Sequence, residues 1–241
     1  IKLIQKERTM KFLKKSHLIK STAAAMILAA SGVAQANVIV LDFEGVGDQA
    51  NINDFYNGGT DSMGNSGTDF GIGFGTNTLG VIDSDAGGSG NIANEPSGET
   101  AMFFLTGTAV LNYSAGFDTG FSFFYSSSTV ASVFVYDGLD ATGNLLATLD
   151  LTAQYSDNCS GDPSGDFCNW TAVGASFAGT AYSIDFGGTV NQIAYDDITF
   201  GSATAGGGDD DPTPVPAPAG LAAASAVPET RQQLPAVESL E

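Results

Sequence analysis

The chain has 241 residues and a strongly acidic balance, with 27 Asp and Glu against eight Lys and Arg, one His and a formal net charge of −19. Seven of the eight basic residues lie within the first 20 positions, and no Lys, Arg or His occurs between residues 37 and 230. This excludes nucleic acid and anionic membrane surfaces as partners of that region, because both are bound through basic side chains. It also excludes Ser-His-Asp or Cys-His nucleophiles, His-based zinc sites, Schiff-base lysines and P-loops.

Residues 1–36 are predicted to be a leader with a secretory signal peptide. The basic stretch Lys11–Lys20 precedes a short apolar run, Ala23–Ala30, and an Ala-Gln-Ala cleavage site. The apolar run is too short to span a bilayer, which needs about 20 residues. We expect translation to start at Met10 and cleavage to follow Ala36.

Removal of the leader would increase the excess of acidic over basic residues. The segment holds one acid and seven bases, so 26 acids and a single base, Arg231, remain. A buried carboxylate without a cation must raise its pKa, accept hydrogen bonds or bind a metal. Ca²⁺ accepts about six to eight oxygen ligands, and extracellular sites function at Kd values of about 10⁻⁴–10⁻³ M. We expect most acids to be solvated and a few to bind calcium.

Residues 37–202 are predicted to form one all-β domain. Short apolar runs rich in β-branched and aromatic residues alternate with Gly, Asp and Asn, and no 3.6-residue period is sustained. Many short strands between turns indicate a sandwich or barrel. The predicted strands are Val38–Phe43, Phe70–Phe74, Leu79–Ile82, Ala101–Leu105, Gly120–Tyr125, Ser132–Tyr136, Leu145–Leu151, Ala172–Phe177, Ala181–Phe186 and Gln192–Phe200.

The composition changes after Ser202. Residues 203–220 are rich in Gly, Asp and Pro, which favours an extended, disordered linker. Residues 221–241 contain an apolar run too short to span a membrane, followed by polar sequence.

The two cysteines, Cys159 and Cys168, are nine residues apart. An even number of cysteines in an exported chain predicts a disulfide. We expect this bond to hold a flexible Gly/Asp loop near Trp170, the only tryptophan.

Several segments resemble the exported PEP-CTERM proteins of Gram-negative bacteria: VIVLDFEGVGD, DFYNGGTDSMGNSG, DSDAGGSGNIANEPS and GGTVNQIAYDDITFGS. The segment Pro214–Leu221 (PVPAPAGL) is similar to a VPAPAGL variant of their sorting signal. The resemblance implies export, recognition by an exosortase and association with exopolysaccharide. The family's membrane helix and Arg cluster do not follow Leu221, so residues 221–241 are interpreted as an atypical remnant of the signal or an aberrant C-terminus. Simple secretion is then expected rather than anchoring.

The end strands also resemble those of jelly-roll lectin-like and carbohydrate-binding modules. This resemblance implies a jelly-roll-like antiparallel β-sandwich, with structural Ca²⁺ held by an acid near the first strand and an acid in the last. The matching residues are Glu44 or Asp42 and, in the stretch YDDITF, Asp197 or Asp196. Strand alternation leaves open which Asp faces inward, and a bulge would change the count. The alternative is one solvated Asp and one that accepts backbone N–H bonds.

A second acidic stretch begins with Asp83 and Asp85 and resembles the start of an EF-hand loop. Gly occupies position 5, position 12 is Asn94 with Glu95 one residue later, and no helices flank the stretch. An EF-hand is therefore excluded. Asp83 and Asp85 are kept as a weaker calcium candidate, with an ordinary Gly/Asp turn as the alternative.

These features favour a non-catalytic exported protein of the cell surface or extracellular matrix that binds polysaccharide. The alternative is a glycoside hydrolase or polysaccharide lyase using acids such as Glu44, Glu95, Glu99 or Asp83. It needs two carboxyl groups about 5–5.5 Å or 6.5–9.5 Å apart, one with a raised pKa. The domain has only three Glu, and none lies in a catalytic motif.

Overall fold

A computed structural model describes residues 38–154, 159–160, 162 and 164–207. The predicted signal peptide, the linker beyond residue 207 and the segment 221–241 lie outside these residues. Within the described part of the chain, no helix is long and apolar enough to cross a membrane.

The described residues form eleven strands and one short 3₁₀ helix. In chain order they are β1 Ile39–Leu41, β2 Ile72–Phe74, β3 Thr78–Ile82, β4 Thr100–Phe104, β5 Ala109–Phe117, β6 Gly120–Ser127, β7 Ala131–Tyr136, β8 Leu145–Leu151, β9 Thr171–Ser176, β10 Ala181–Phe186, β11 Ile193–Phe200 and the 3₁₀ helix Ala205–Gly207.

The strands form two antiparallel sheets. One sheet has the order β3-β4-β11-β6-β9, with β1 also paired to β11, and the other has the order β2-β5-β10-β7-β8. Strand β4 pairs with β11 at Tyr195, whereas β1 pairs with it from Ile198 to Phe200. One edge of β11 therefore pairs with β6, and the other edge pairs first with β4 and then with β1. Asp196 and Asp197 lie at the point where β1 replaces β4. The predicted all-β antiparallel sandwich is confirmed.

Aromatic side chains fill the space between the sheets. Tyr195 of β11 lies 4.9 Å from Phe186 of the opposite sheet and 5.4 Å from Phe123, measured between ring centroids. Phe117 and Phe200 form an edge-to-face pair at 4.9 Å. These rings are almost fully buried, and burial of their apolar area is the main driving force for this packing.

A second, smaller apolar cluster lies on the other face of the first sheet. Its buried members are Val81, Ile92, Ala101, Phe103, Phe167 and Ala194, and Leu79 and Trp170 pack against it. A bridge between Ile92 and Phe167 brings the loop between Cys159 and Cys168 onto this face. The first sheet is thus covered on both sides, which explains why every residue of β11 is buried.

Residues 203–207, assigned above to the linker, pack against the domain. The 3₁₀ helix contacts β11 and β6, and the Gly206 N–H donates to Thr199 Oγ1 at 3.0 Å. Gly206 adopts φ = 72°, a conformation that glycine accepts without strain.

Candidate functional site

A β-bulge in β11 decides the direction of the two aspartates. The register with β6 shifts between Asp196 and Thr199, and Asp197 has a φ of 49°. Tyr195 before the bulge and Ile198 after it both contribute to the inter-sheet core. The extra residue therefore takes both aspartates out of that core. Asp196 is nevertheless fully buried, and Asp197 is 8% exposed.

Backbone and hydroxyl groups donate hydrogen bonds to this pair. The Ser97 hydroxyl donates to Asp197 Oδ1 at 2.8 Å, and the Ser97 N–H donates to Asp196 Oδ2 at 3.2 Å. The Asp197 N–H donates to Asp196 Oδ1 at 2.7 Å. Ser97 precedes β4, so the replacement of β4 by β1 along β11 places these donors beside the carboxylates.

The acids that follow β1 approach the same place. Glu44 Oε1 accepts the N–H groups of Glu99 and Thr100, each at 2.9 Å. Gly98 permits this approach, because a Cβ there would lie 2.1 Å from Glu44 Cδ. Asp42 Oδ1 accepts a long hydrogen bond, 3.5 Å, from the Tyr56 hydroxyl. Asp42, Glu44, Asp196 and Asp197 are here called the strand-end cluster. The charge of Glu44 acts on Asp196 and that of Asp42 on Asp197, but no three of these four described residues have ligand oxygens that all lie within 4.8 Å of one another.

Burial and mutual repulsion disfavour the charged forms of the aspartates in the strand-end cluster. Burial is the main cause that raises the pKa of Asp196 to about 8, and the charge of Asp197 is the second. Burial also raises the pKa of Asp197, and the Asp42 charge adds to it. Four carboxylates suit calcium by ligand type, but much of their acceptor capacity is used by the protein's own donors. Calcium binding by these residues remains a prediction.

A second group of acids lies at the far ends of β3 and β4. Among the described residues, Asp83, Glu95 and Glu99 are the one group of three acidic side chains whose ligand oxygens all lie within 4.8 Å of one another. Ile82 pairs with Thr100, so Asp83 and Glu99 follow as opposite neighbours beyond the ladder. Their backbones are joined by an Asp83 N–H bond to the Glu99 carbonyl at 2.9 Å.

Glu95 has a raised pKa and a buried oxygen without a hydrogen-bond partner among the described residues. Burial raises its pKa to about 7, and the charges of Asp83, Glu99 and Asp162 add to the effect. Glu95 Oε1 is buried and accepts no hydrogen bond from the described residues. Asp85, in contrast, is exposed and contributes its N–H to Asp83 Oδ1 at 3.1 Å.

The predicted disulfide between Cys159 and Cys168 is confirmed. The loop that it closes carries Asp162, which lines the same concavity as Asp83, Glu95 and Glu99. We call these four residues the loop cluster. As expected, the disulfide loop lies near Trp170, whose indole N–H donates to the Ala93 carbonyl at 3.0 Å.

A pocket opens on the outer face of the first sheet, over the second apolar cluster. It encloses about 410 Å³ including its mouth. Apolar side chains, among them Phe103 and Phe167, line it together with polar groups of Gln49, Asn91 and Asn191. The Gln49 amide donates to Ser89 and the Asn91 amide to Asp166, which leaves amide oxygens on both residues without partners among the described residues.

Sequence reasoning missed this pocket and the contribution of Asp162. It named Asp83, Glu95 and Glu99 among the possible catalytic acids but did not predict that these three form one cluster. One signal was available, since Glu95 follows Asp83 by 12 residues and both flank a Gly-rich turn. The Asp162 contribution has no local signal, because it depends on how the disulfide loop folds back.

No family model matches the sequence, and no curated protein matches it. Among solved structures, the chain is similar to CsCBM6-3 from Clostridium stercorarium in complex with cellobiose, at 19% identity and a TM-score of 0.31, covering 45% of this chain and 79% of that one. It is also similar to a glycoside hydrolase family 43 arabinoxylan arabinofuranohydrolase from Bacillus subtilis, at 16% identity and a TM-score of 0.34, covering 52% of this chain and 24% of that one. A third similar structure is the K2 cleaved adhesin domain of Lys-gingipain, at 13% identity and a TM-score of 0.43, covering 68% of this chain and 97% of that one. These scores are too low to carry a functional argument.

Proposed function

We propose that the protein is a non-catalytic, exported, glycan-binding β-sandwich of the outer surface or matrix of a Gram-negative bacterium, associated with exopolysaccharide. The observation that carries the binding proposal is the outer-face pocket. Its position over an apolar cluster, outside the inter-sheet core, makes it accessible without opening the sandwich. Export and the exopolysaccharide association rest on the sequence resemblance.

The lining of the pocket suits a sugar. The hydroxyl groups of a sugar need donors and acceptors, which the amides of Gln49, Asn91 and Asn191 provide. Its C–H faces need an apolar surface, which Phe103 and Phe167 provide. Without a basic side chain in the domain, neutral glycans are favoured over acidic ones.

The proposal of a non-catalytic role rests on the acids that the alternative would use. Glu44 Oε1 accepts two backbone hydrogen bonds, which use the acceptor capacity of that oxygen. Asp83, Glu95 and Glu99 are close enough for two-carboxylate chemistry, but a third acid within the same 4.8 Å suits cation binding better than hydrolysis. Turnover of a polysaccharide that Glu95→Gln abolishes would establish the hydrolase instead.

We further propose that Ca²⁺ stabilises the domain at the strand-end cluster. What supports this is the charge of four neighbouring carboxylates and the complete burial of Asp196. The bound ion would favour the charged forms of Asp196 and Asp197, which burial disfavours.

A glycan array with the full chain tests the binding proposal, followed by calorimetric titration with the strongest neutral oligosaccharide. Asn91→Ala and Asn191→Ala remove exposed amides of the pocket, and we expect each to weaken binding about tenfold. Asn57→Ala removes an exposed amide in a distant turn and serves as the matched control. Absence of any glycan ligand, or equal binding by all three variants, would refute the assignment of the pocket.

A further inference from the structure

We propose that the loop cluster is a second Ca²⁺ site, in which Asp83, Glu95 and Glu99 form the core of the ligand set and Asp162 closes it from the disulfide loop. This site is separate from the strand-end cluster and shares no acidic side chain with it. It does not depend on the identity of the glycan.

The geometry of the three central acids is the first observation. Their ligand oxygens lie within 4.8 Å of one another, so a single ion can contact all three. Asp83 and Glu99 extend from opposite strands as neighbours across the ladder, where two like charges repel each other. An ion between them converts this repulsion into attraction.

Asp162 provides the second, independent observation. Its side chain is only 7% exposed. Oδ1 accepts hydrogen bonds from the N–H and hydroxyl of Ser164, at 2.9 and 2.7 Å. Oδ2 is buried without a hydrogen-bond partner among the described residues. Because Asp162 lines the concavity of the other three acids, this oxygen is an acceptor that an ion there could satisfy.

The chemistry of the site favours calcium over other common ions. All four candidates are carboxylates, and the described part of the chain contains no His and no free cysteine that would select a transition metal. The ligands come from two strand ends and two loops, an irregular set that Ca²⁺ tolerates and the octahedral Mg²⁺ does not. Exposure of Glu99 gives the ion a route from solvent.

The proposed site also connects the walls of the outer-face pocket. The chain from Asn91 to Glu99 contributes Asn91 and Ile92 to the pocket and two acids to the loop cluster. On the other side, Phe167 lines the pocket and Asp162 belongs to the loop cluster. An ion bound to both segments would hold the two walls together.

Calorimetric titration of the chelator-treated full chain with CaCl₂ tests the site directly. Terbium luminescence adds a local readout, because Trp170 is the only tryptophan and bonds to Ala93, two residues before Glu95. Terbium in the loop cluster should emit when tryptophan alone is excited. We expect Glu95→Gln and Asp162→Asn each to weaken calcium binding at this site at least tenfold and to remove most of the sensitised emission.

Two variants serve as controls. Asp118→Asn changes an exposed acid of the β5–β6 turn and should leave calcium binding unchanged. Asp42→Asn alters the strand-end cluster and should leave the tryptophan-sensitised emission unchanged. Circular dichroism confirms that each variant is folded. The proposal is refuted if the folded wild type binds no calcium, or if Glu95→Gln and Asp162→Asn bind calcium and terbium as the wild type does.

Discussion

The strand-end cluster and the loop cluster differ in how the protein stabilises neighbouring carboxylates. Both gather four acids in a domain without basic side chains. In the strand-end cluster, Ser97 and the backbone at Asp197, Glu99 and Thr100 donate hydrogen bonds to the carboxylates. In the loop cluster, buried oxygens of Glu95 and Asp162 have no donor among the described residues.

The difference teaches that the number of acids alone does not determine how strongly a cluster needs a bound ion. A carboxylate surrounded by fixed N–H and O–H donors, or able to take up a proton, can remain buried without an ion. A carboxylate with an unpaired buried oxygen cannot do so without a penalty. The position of donors therefore distinguishes the clusters, and each prediction below changes one side of that contrast.

The largest expected effect concerns the pH dependence of the calcium-free protein. The pKa of Asp196 is raised from 3.8 to about 8 in the folded chain. Between these values the folded state binds more protons than the unfolded state, so stability is fully present below about pH 4 and is lost as pH rises through about 8. The loss should be on the order of 5 kcal/mol.

Chemical denaturation in chelator at several pH values checks this prediction. The charges of Asp197 and Glu44 act on Asp196, and the pKa of Asp197 is raised as well, so Asp197 contributes to the same decline. The pKa of Glu95 in the loop cluster is also raised, so the variant Glu95→Gln is measured in parallel to separate its contribution from that of Asp196. Asp196→Asn should flatten most of the decline. A stability that increases from pH 4 to pH 8 in chelator would contradict the account.

Calcium should raise the stability of the wild type next most strongly. At a free concentration 100 times its Kd, one bound ion adds about 2.7 kcal/mol, which corresponds to a rise in Tm of about 5–10 °C. In the variant Asp83→Asn/Glu95→Gln we expect the gain due to the loop cluster to disappear. Thermal melts with calcium and with chelator measure the difference, and an unchanged gain in this variant would place the ion elsewhere.

Loss of the disulfide should have a comparable effect on stability. Cys159→Ser/Cys168→Ser opens a short loop, which costs about 2–3 kcal/mol in the chain-entropy model. It should also weaken calcium binding, because Asp162 lies in that loop. Denaturation and calorimetry measure the two effects. Lower stability with unaltered calcium affinity would show that Asp162 is not a ligand.

The smallest effect is expected at Ser97. Ser97→Ala removes the hydroxyl that donates to Asp197 Oδ1 at 2.8 Å, which should cost about 1–2 kcal/mol. Ser114→Ala, at an exposed position of β5, is the matched control. If Ser97→Ala is as stable as this control, the hydrogen bonds of the strand-end cluster are less important than proposed.

Much of the architecture could be predicted from the sequence. Every strand except β5 corresponds to a predicted run, because apolar residues and turn residues alternate clearly there. Strand β5 was missed because its second half, including Ser114, Ala115 and Gly116, is polar or small and lies partly exposed. The direction of Asp196 and Asp197 could not be predicted, since it depends on a bulge that the sequence alone does not locate.

The sites were less predictable than the strands. Proximity of Asp42 and Glu44 to the last strand follows from the pairing of β1 with β11, which the resemblance of the end strands implied. The loop cluster requires the β3–β4 connection and the disulfide loop to meet, a contact between residues about 70 positions apart. The pocket depends on the same contact, through the bridge from Ile92 to Phe167.

An anomalous difference map from crystals of the full chain soaked in terbium tests the contrast between the clusters most directly. We expect a strong peak between the carboxylates of Asp83, Glu95 and Glu99, with Asp162 Oδ2 facing it. Crystals without an ion there, in which a lone peak lies beside Asp196 and Asp197, would contradict the account.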